Sequence, residues 1–197
     1  MDQKSLIEFL ISTGHMSALE ATAITDHFTL KALERHQFFL KEGRVCKEYL
    51  FLASGFMRSF AIDTNGNEIT TNFHAPNQVV FEVASFFNQT PAKENIQALD
   101  NCLGWVISFD QLNRLFHSMP AFREFGRHIL VRGFAGLKNR MLSMITDTAE
   151  VRYMKLLDSS PAIFQQASLK HIASYLGITD TSISRIRKEI SKNRPPS

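Results

Sequence analysis

The chain has 197 residues, 44% hydrophobic and 21% charged, which suits one large domain or two modest ones and excludes a disordered, collagen-like or disulfide-scaffold polypeptide. No apolar run approaches the roughly 20 residues of a membrane span, and MDQKSLIEFL lacks the basic flank and long apolar stretch of a signal peptide; a cytoplasmic protein with no membrane partner is expected. The net charge of +3 is unevenly spread: residues 1–119 carry 9 Lys/Arg and 13 Asp/Glu, residues 120–197 carry 13 and 6. An acidic front joined to a basic tail suggests a sensor or scaffold coupled to something that meets a polyanion.

The first 28 residues read as two helices. Leu6, Ile7 and Leu10, then Leu19, Ala23 and Ile24, fall at helical spacing, with Gly14 between them and Ser17 placed to cap the second. From Thr29 to Phe109 the pattern changes to about eight short strands, among them QFFLKEG, EYLFLASG, FMRSFAID and EITTNFH. Asn65-Gly66 between two alternating runs signals a hairpin in which both central residues take positive φ. Many short strands at regular spacing imply a sandwich or closed barrel, and a double-sheet β-roll fits. Cys46 and Cys102 show no CxxC and no paired His spacing. This argues against a zinc site or a Cys-ligated iron–sulfur cluster and for two buried free thiols in a reducing compartment.

Asp110 is expected to open a short helix, and Pro120 a longer one over 120–145. The longer helix carries two apolar stripes: Phe122, Phe125 and Ile129 on one face, and Leu130, Phe134, Leu137, Met141 and Met144 on another. A helix apolar on two faces has two partners. Gly133 and Gly136 should each cost about 1 kcal/mol in such a helix, which a close second backbone or a kink would explain. Phe125, Ile129, Gly133, Gly136 and Leu137 are therefore the candidate dimerisation residues. Asp147 or Thr148 then caps another helix, ended by Pro161, and NRPPS reads as a frayed tail.

The strongest local signal is SLKHIASYLGITDTSISRIRKEI, residues 168–190. Ser168 caps a short helix with Leu169, Ile172, Ala173 and Leu176 on its inner face, Gly177 supplies a left-handed turn, and Thr179 caps a second helix. Ala173, Gly177, Ile183 and Ile186 have helix-turn-helix offsets. The second helix buries Ile183, Ile186 and Ile190 and leaves Thr181, Ser182, Ser184, Arg185, Arg187 and Lys188 free for phosphates and guanine edges in a major groove. Between residues 185 and 194 stand five Lys/Arg against one Glu. An ordinary αα-hairpin with a solvated basic face is the alternative reading of the same spacing.

SYLGITDTSISRIRKEI resembles the recognition unit of the Crp/Fnr superfamily of bacterial transcription regulators. FLASGFMRSF resembles that family's strand pair carrying a Gly and an Arg, and VFEVASFF followed by IQAL resembles its phosphate-binding segment. The resemblance covers essentially the whole chain. It implies an α+β fold with a jelly-roll, cyclic-nucleotide-binding-like domain (1–119), a connecting dimerisation helix (120–145) and a helix-turn-helix domain (146–197). It also implies a homodimer on a near-palindromic double-stranded operator, and a regulator of this kind would also engage RNA polymerase. The family's base-reading positions map onto Asp180, Thr181 and Arg185, with Asp180 assigned to helix-terminus stabilisation and Arg185 to a base.

Two departures follow. Glu82 matches the family's ribose-binding Glu, but Phe81 precedes it where relatives carry Gly, and the phosphate-binding Arg position falls near Ala92 or Lys93. Without a bidentate guanidinium a buried phosphate loses its main charge-assisted bonds, so cyclic AMP is a poor guest. No cofactor is expected, and a different small-molecule effector is left open, in a pocket of Glu82, Val83, Ala84, Ser85 and Lys93 facing the long helix near Gly136–Arg140. Secondly, relatives follow the recognition helix with a β-wing, whereas this sequence ends at RPPS. The competing class is a ligand-binding β-roll whose C-terminal helices contact protein rather than DNA. A cupin-type enzyme would need a His-x-His pair with a nearby Glu; His36 and His74 stand alone, and neither a metal nor catalysis is expected.

Overall fold

The computed structural model describes residues 3–193. The tail from Arg194 onward, and with it the expected lack of a wing, lies outside the described residues.

Two short helices open the fold, α1 (Lys4–Ile11) and α2 (Ala18–Thr25). Ser17 and Glu20 form a reciprocal capping box at the start of α2, so two otherwise orphaned backbone donors are paired. Eight strands follow: β1 (Thr29–Leu33), β2 (Phe38–Leu40), β3 (Glu48–Ser54), β4 (Met57–Ile62), β5 (Glu68–His74), β6 (Gln78–Val80), β7 (Asn95–Ala98) and β8 (Cys102–Ser108), with helix α3 (Val83–Asn88) between β6 and β7. They form two antiparallel four-stranded sheets, ordered β1-β8-β3-β6 and β2-β7-β4-β5. This is the expected β-roll.

The β4–β5 hairpin differs in detail from the expected turn. Only Gly66 takes positive φ (82°); Asn65 does not. The Gly66 amide donates to the Asp63 carbonyl at 3.0 Å, and the Asp63 carboxylate accepts the amides of Asn65 and Asn67, both at 2.8 Å. An Asp side chain that satisfies the loop backbone makes a longer loop competitive with the two-residue turn. Beyond it, Met57 pairs with His74 and Ser59 with Asn72 on one face, where Met57, Ser59 and His74 are buried and Asn72 is exposed, while Arg58 pairs with Phe73 and Phe60 with Thr70 on the other face; a bulge leaves Thr71 extra.

Helices α4 (Phe109–Ser118) and α5 (Pro120–Thr146) follow. Ser108, not Asp110, caps α4, in a capping box with Gln111; Asp110 sits in the first turn, where its charge favours the helix dipole. Pro120 begins α5, which at 1.5 Å per residue is about 40 Å long and runs unbroken through Gly133 and Gly136. Its first turns belong to the β-roll core: Phe122 and Phe125 are buried and stack at 5.8 Å, and Phe9 meets Phe125 edge-on at 5.3 Å. Gly126 is packed under Phe116, whose ring would lie 2.6 Å from an added Cβ.

Asp147 ends α5 in an extended conformation and Thr148 caps α6 (Ala149–Ser159) by accepting the Val151 amide. The short α7 (Ile163–Gln166), then α8 (Leu169–Leu176) and α9 (Asp180–Asn193), complete the described chain. Tyr153, Leu156, Ile163, Ile172, Ala173, Leu176, Ile183 and Ile186 form a second core, and Phe73 and Leu99 of the β-roll share it. Leu169, expected on the inner face of α8, is exposed; at the first turn of α8 it projects past the rim of that core.

Candidate functional site

The helix-turn-helix geometry is built as its residues require. The Ser168 hydroxyl accepts the His171 amide at 3.2 Å and caps α8. Gly177 ends α8 at φ 66°, and its amide bonds back to the Ser174 carbonyl, a left-handed cap that glycine adopts at little cost. The Thr179 hydroxyl accepts the Ser182 amide at 3.2 Å and so starts α9. Ile183 and Ile186 are buried against Ile172, Ala173 and Leu176, which fixes the opposite face outward. Thr179, Thr181, Ser184, Arg185, Arg187 and Lys188 are exposed on it, with Ser182 half-buried.

The hydroxyls are not all free to read a ligand. Thr179 is shared between Thr181 and Ser182, at 2.8 and 2.9 Å, and Ser184 donates to the Asp180 carbonyl at 2.9 Å. Arg185 and Lys188 therefore carry most of what this face presents, together with Arg187, which has contacts of its own.

A second candidate site is a cavity of about 700 Å³ between the β-roll interior, α5 and α8, lined by Ser59, His74, Glu82, Glu94, Arg140 and Tyr175 among others. Of the expected pocket residues, Glu82 and Val83 line it. The others do not. Ala84 is exposed on the outer turn of α3. Ser85 is buried, its hydroxyl accepting the Cys46 amide at 2.8 Å and donating to the Thr90 carbonyl. Lys93 is exposed away from the cavity, and Ala92 is buried in the core. The neighbour that does enter is Glu94, in the bend that leads into β7.

The cavity is poor in available positive charge. The Glu82 carboxylate caps α3, accepting the amides of Ala84 at 3.3 Å and Ser85 at 2.6 Å. Burial, with Glu82 nearby, pushes the Glu94 carboxyl above its ordinary range, against a hydrogen bond from Thr71 and the charge of Arg140. Arg140 donates to the carbonyls of Thr71 and, at 3.2 Å, Tyr175, and lies 4.0 Å over the Tyr175 ring. His74 accepts or donates a 2.8 Å bond with Ser59, and burial pushes its pKa down to about 4; it is a neutral wall at physiological pH. Sequence reasoning missed Ser59, Asn72 and His74 as lining residues; Ser59 in FMRSFAID and His74 in EITTNFH are polar side chains buried within strand runs, while Asn72 lines the cavity and stays exposed.

The expected dimer residues divide by face. Phe125 is 2% exposed and is committed to its own core, and Ile129 packs partly against that core. Phe134 at 72% and Leu137 at 63% are open, as are Val131, Met141 and Ile145, and an added Cβ at Gly133 or Gly136 would meet nothing within 4 Å. Gly133 and Gly136 each border a cavity beside α5. Both thiols are buried and free. Among the described residues, no group of three or more His, Cys, Asp or Glu could hold a metal ion, and no helix is long and apolar enough to cross a membrane.

Residues 30–119 match the cyclic nucleotide-binding domain family. The transcriptional activator protein Anr of Pseudomonas protegens is 23% identical over 174 residues, covering 83% of this chain and 70% of the relative. The fumarate and nitrate reduction regulatory protein of Yersinia pestis is 26% identical over 174 residues, with 83% and 69% covered. Among solved structures, FixK2 from Bradyrhizobium japonicum superposes with a TM-score of 0.71 at 16% identity, covering 84% of this chain and 85% of that one. The catabolite activator protein of Thermus thermophilus gives 0.58 at 16%, covering 96% and 91%. These two superpositions speak to the fold.

Proposed function

Because the chain belongs to the Crp/Fnr superfamily of transcriptional regulators, we propose that it acts as a homodimer whose α9 helices read the two halves of a near-palindromic operator. The reading divides the chain into a β-roll sensor (1–119), a connecting helix (120–145) and a DNA-binding unit (146–197), with RNA polymerase as a further partner. One observation carries it: α9 buries Ile183 and Ile186 and turns Arg185, Arg187 and Lys188 outward, a basic face on a second helix held by a glycine turn.

Arg185 is assigned to a base edge, and Arg187 and Lys188 to phosphates, with Thr181 and Ser182 beside them. The exposed stripe Phe134, Leu137 and Met141 on α5 is assigned to the second copy, whose approach would supply the close backbone that Gly133 and Gly136 admit. The cavity at Glu82 and Val83 is assigned to an effector other than a cyclic nucleotide. The lining does not fit that anion: Phe81 stands where close backbone approach would be needed, Glu94 adds a second carboxylate, and Arg140 is engaged by two carbonyls and a ring.

The test is fluorescence anisotropy at fixed salt on duplexes selected from a random pool. Arg185→Ala should lose about 1–3 kcal/mol, roughly 5- to 150-fold, and relax preference at one base pair. Lys188→Ala should weaken all sequences alike and make the salt dependence shallower by about one contact. Wild-type protein with no duplex preference above non-specific binding, even at low salt, would favour helices that contact protein instead.

A further inference from the structure

The cavity between the β-roll interior, α5 and α8 holds more negative charge than its own cation answers. Glu82 and Glu94 both line it, with Arg140 in the same lining. Arg140 pairs with neither carboxylate. Its guanidinium bonds the Thr71 and Tyr175 carbonyls and lies 4.0 Å over the Tyr175 ring, and none of the ion pairs among the described residues includes Glu82 or Glu94. Two carboxylates against one guanidinium leave one negative charge in excess when all three are ionised.

Both carboxylates keep acceptor capacity. The Glu82 oxygens accept one amide each, from Ala84 and Ser85, and a carboxylate has about four lone-pair sites. Glu94 is half-buried, and removing its charged form from water without an ion pair is costly, which is why its carboxyl is held above the ordinary range. Beside them, Ser59 and His74 are 4% and 5% exposed and bond each other through His74 Nε2. No hydrogen bond among the described residues reaches His74 Nδ1. A buried ring nitrogen without a partner is a group that a guest in the cavity would satisfy.

The walls add aromatic rings. Phe81 is fixed against Tyr49, Phe86 and Phe87 at 4.9, 5.4 and 6.0 Å, and Tyr175 already carries one cation over its ring. About 700 Å³ is the size of a small-molecule site, and among the described residues no group of three or more His, Cys, Asp or Glu could hold a bare metal ion. An anion would meet the excess carboxylate, and a neutral guest would leave Glu94 unpaired. An ammonium or guanidinium head instead makes charge-assisted hydrogen bonds to a carboxylate and is attracted to the neighbouring rings.

We propose that this cavity binds a small organic cation, an alkylammonium or alkylguanidinium with an apolar or aromatic body, its charged head held by Glu94 with Glu82 beside it. That the cation acts as an effector rests on the reading of this cavity as the effector site.

Calorimetric titration of the full chain at about physiological salt, where exposed charges are screened, tests the class of guest. The probes are phenethylamine, phenethyl alcohol and phenylacetate, one skeleton in three charge states, with butylguanidine as a second cation. At least one cation should bind tenfold or more tightly than the alcohol and the carboxylate. Glu94→Gln keeps the shape and removes the charge; it should weaken the cation at least tenfold and erase the preference. Asn72→Lys places a tethered ammonium in the lining from an exposed position and should also weaken the cation at least tenfold; it decides if Glu94→Gln fails to fold. Asp158→Asn, exposed on α6, should change nothing. An alcohol or carboxylate that binds as tightly as the cations, or no binding of either cation at millimolar concentration, overturns the cationic class. Cation affinity unchanged in both variants overturns the site. The effector reading is judged separately by anisotropy on the selected duplex. A bound cation that leaves duplex affinity unchanged removes the effector role and keeps the site, whereas an alcohol or carboxylate that binds best and alters duplex affinity keeps an effector and removes the cation.

Discussion

His74 shows how a single inward side chain links stability to pH. It is 5% exposed and bonds Ser59, and burial holds its pKa near 4, against about 6.5 in an unfolded chain. The unfolded state therefore binds the extra proton first on acidification. The contribution is fully present above pH 6.5 and is lost progressively as pH falls towards 4, by about 3 kcal/mol in all. His74→Gln should flatten the stability profile between pH 4 and 6.5 in urea titrations, and an unchanged slope would remove His74 as its source. Glu82 illustrates a different limit on reading residues from sequence. Its identity suggested ligand contact, but its carboxylate completes the start of α3, a role the string VFEVASFF states equally well. Glu94 and Lys93 are adjacent, and only the register of the chain entering β7 decides which one turns into the cavity. By contrast Arg185, Arg187 and Lys188 were legible, because the spacing of Ile183 and Ile186 fixes the helix face whatever surrounds it.

Among the elements, α5 separates three glycines that look alike in sequence. Gly126 is covered by the Phe116 ring, while Gly133 and Gly136 face open space. Gly126→Ala should destabilise the fold by about 1–3 kcal/mol through overpacking. Gly133→Ala and Gly136→Ala should each stabilise the isolated chain by up to about 1 kcal/mol through helix propensity. Thermal melts at low protein concentration, beside sedimentation at high concentration, would separate fold from assembly: if a second backbone approaches here, the two alanine variants gain monomer stability and lose dimer. The periodicity of α5 announced two apolar faces, and both exist. It could not say that Phe125 on the first is already satisfied by Phe9 and Phe122, because that depends on where α1 packs. The β4–β5 hairpin gives the same lesson: Asn65-Gly66 marked the turn, but the bonds from Asp63 selected its length.

At the scale of the molecule, the exposed stripe on α5 predicts assembly. Phe134→Glu should shift the protein towards monomer in sedimentation velocity with little change in melting of the β-roll, since Phe134 touches none of that core; a dimer persisting at micromolar concentration would move the interface elsewhere. The division into an acidic and a basic part was legible from charge alone, yet it did not foresee that Phe73 and Leu99 would join the helical core. That contact depends on how two separately patterned units meet.

The antiparallel pairing of β1 with β8 joins Thr29 to Val106, and it also orders events in time. During synthesis β1 waits for some 70 further residues before its partner exists, so the sheet β1-β8-β3-β6 closes late, whereas α8 and α9 pair across a few residues. Contacts so distant along the chain are slow to form, and unpaired strands invite misassembly in the interval. Trp105, the single tryptophan, lies on β8 between β1 and β3 and reports that closure. After dilution from urea, helical ellipticity should recover before Trp105 fluorescence; coincident phases would mean that the two ends of the β-roll meet as early as the helices do.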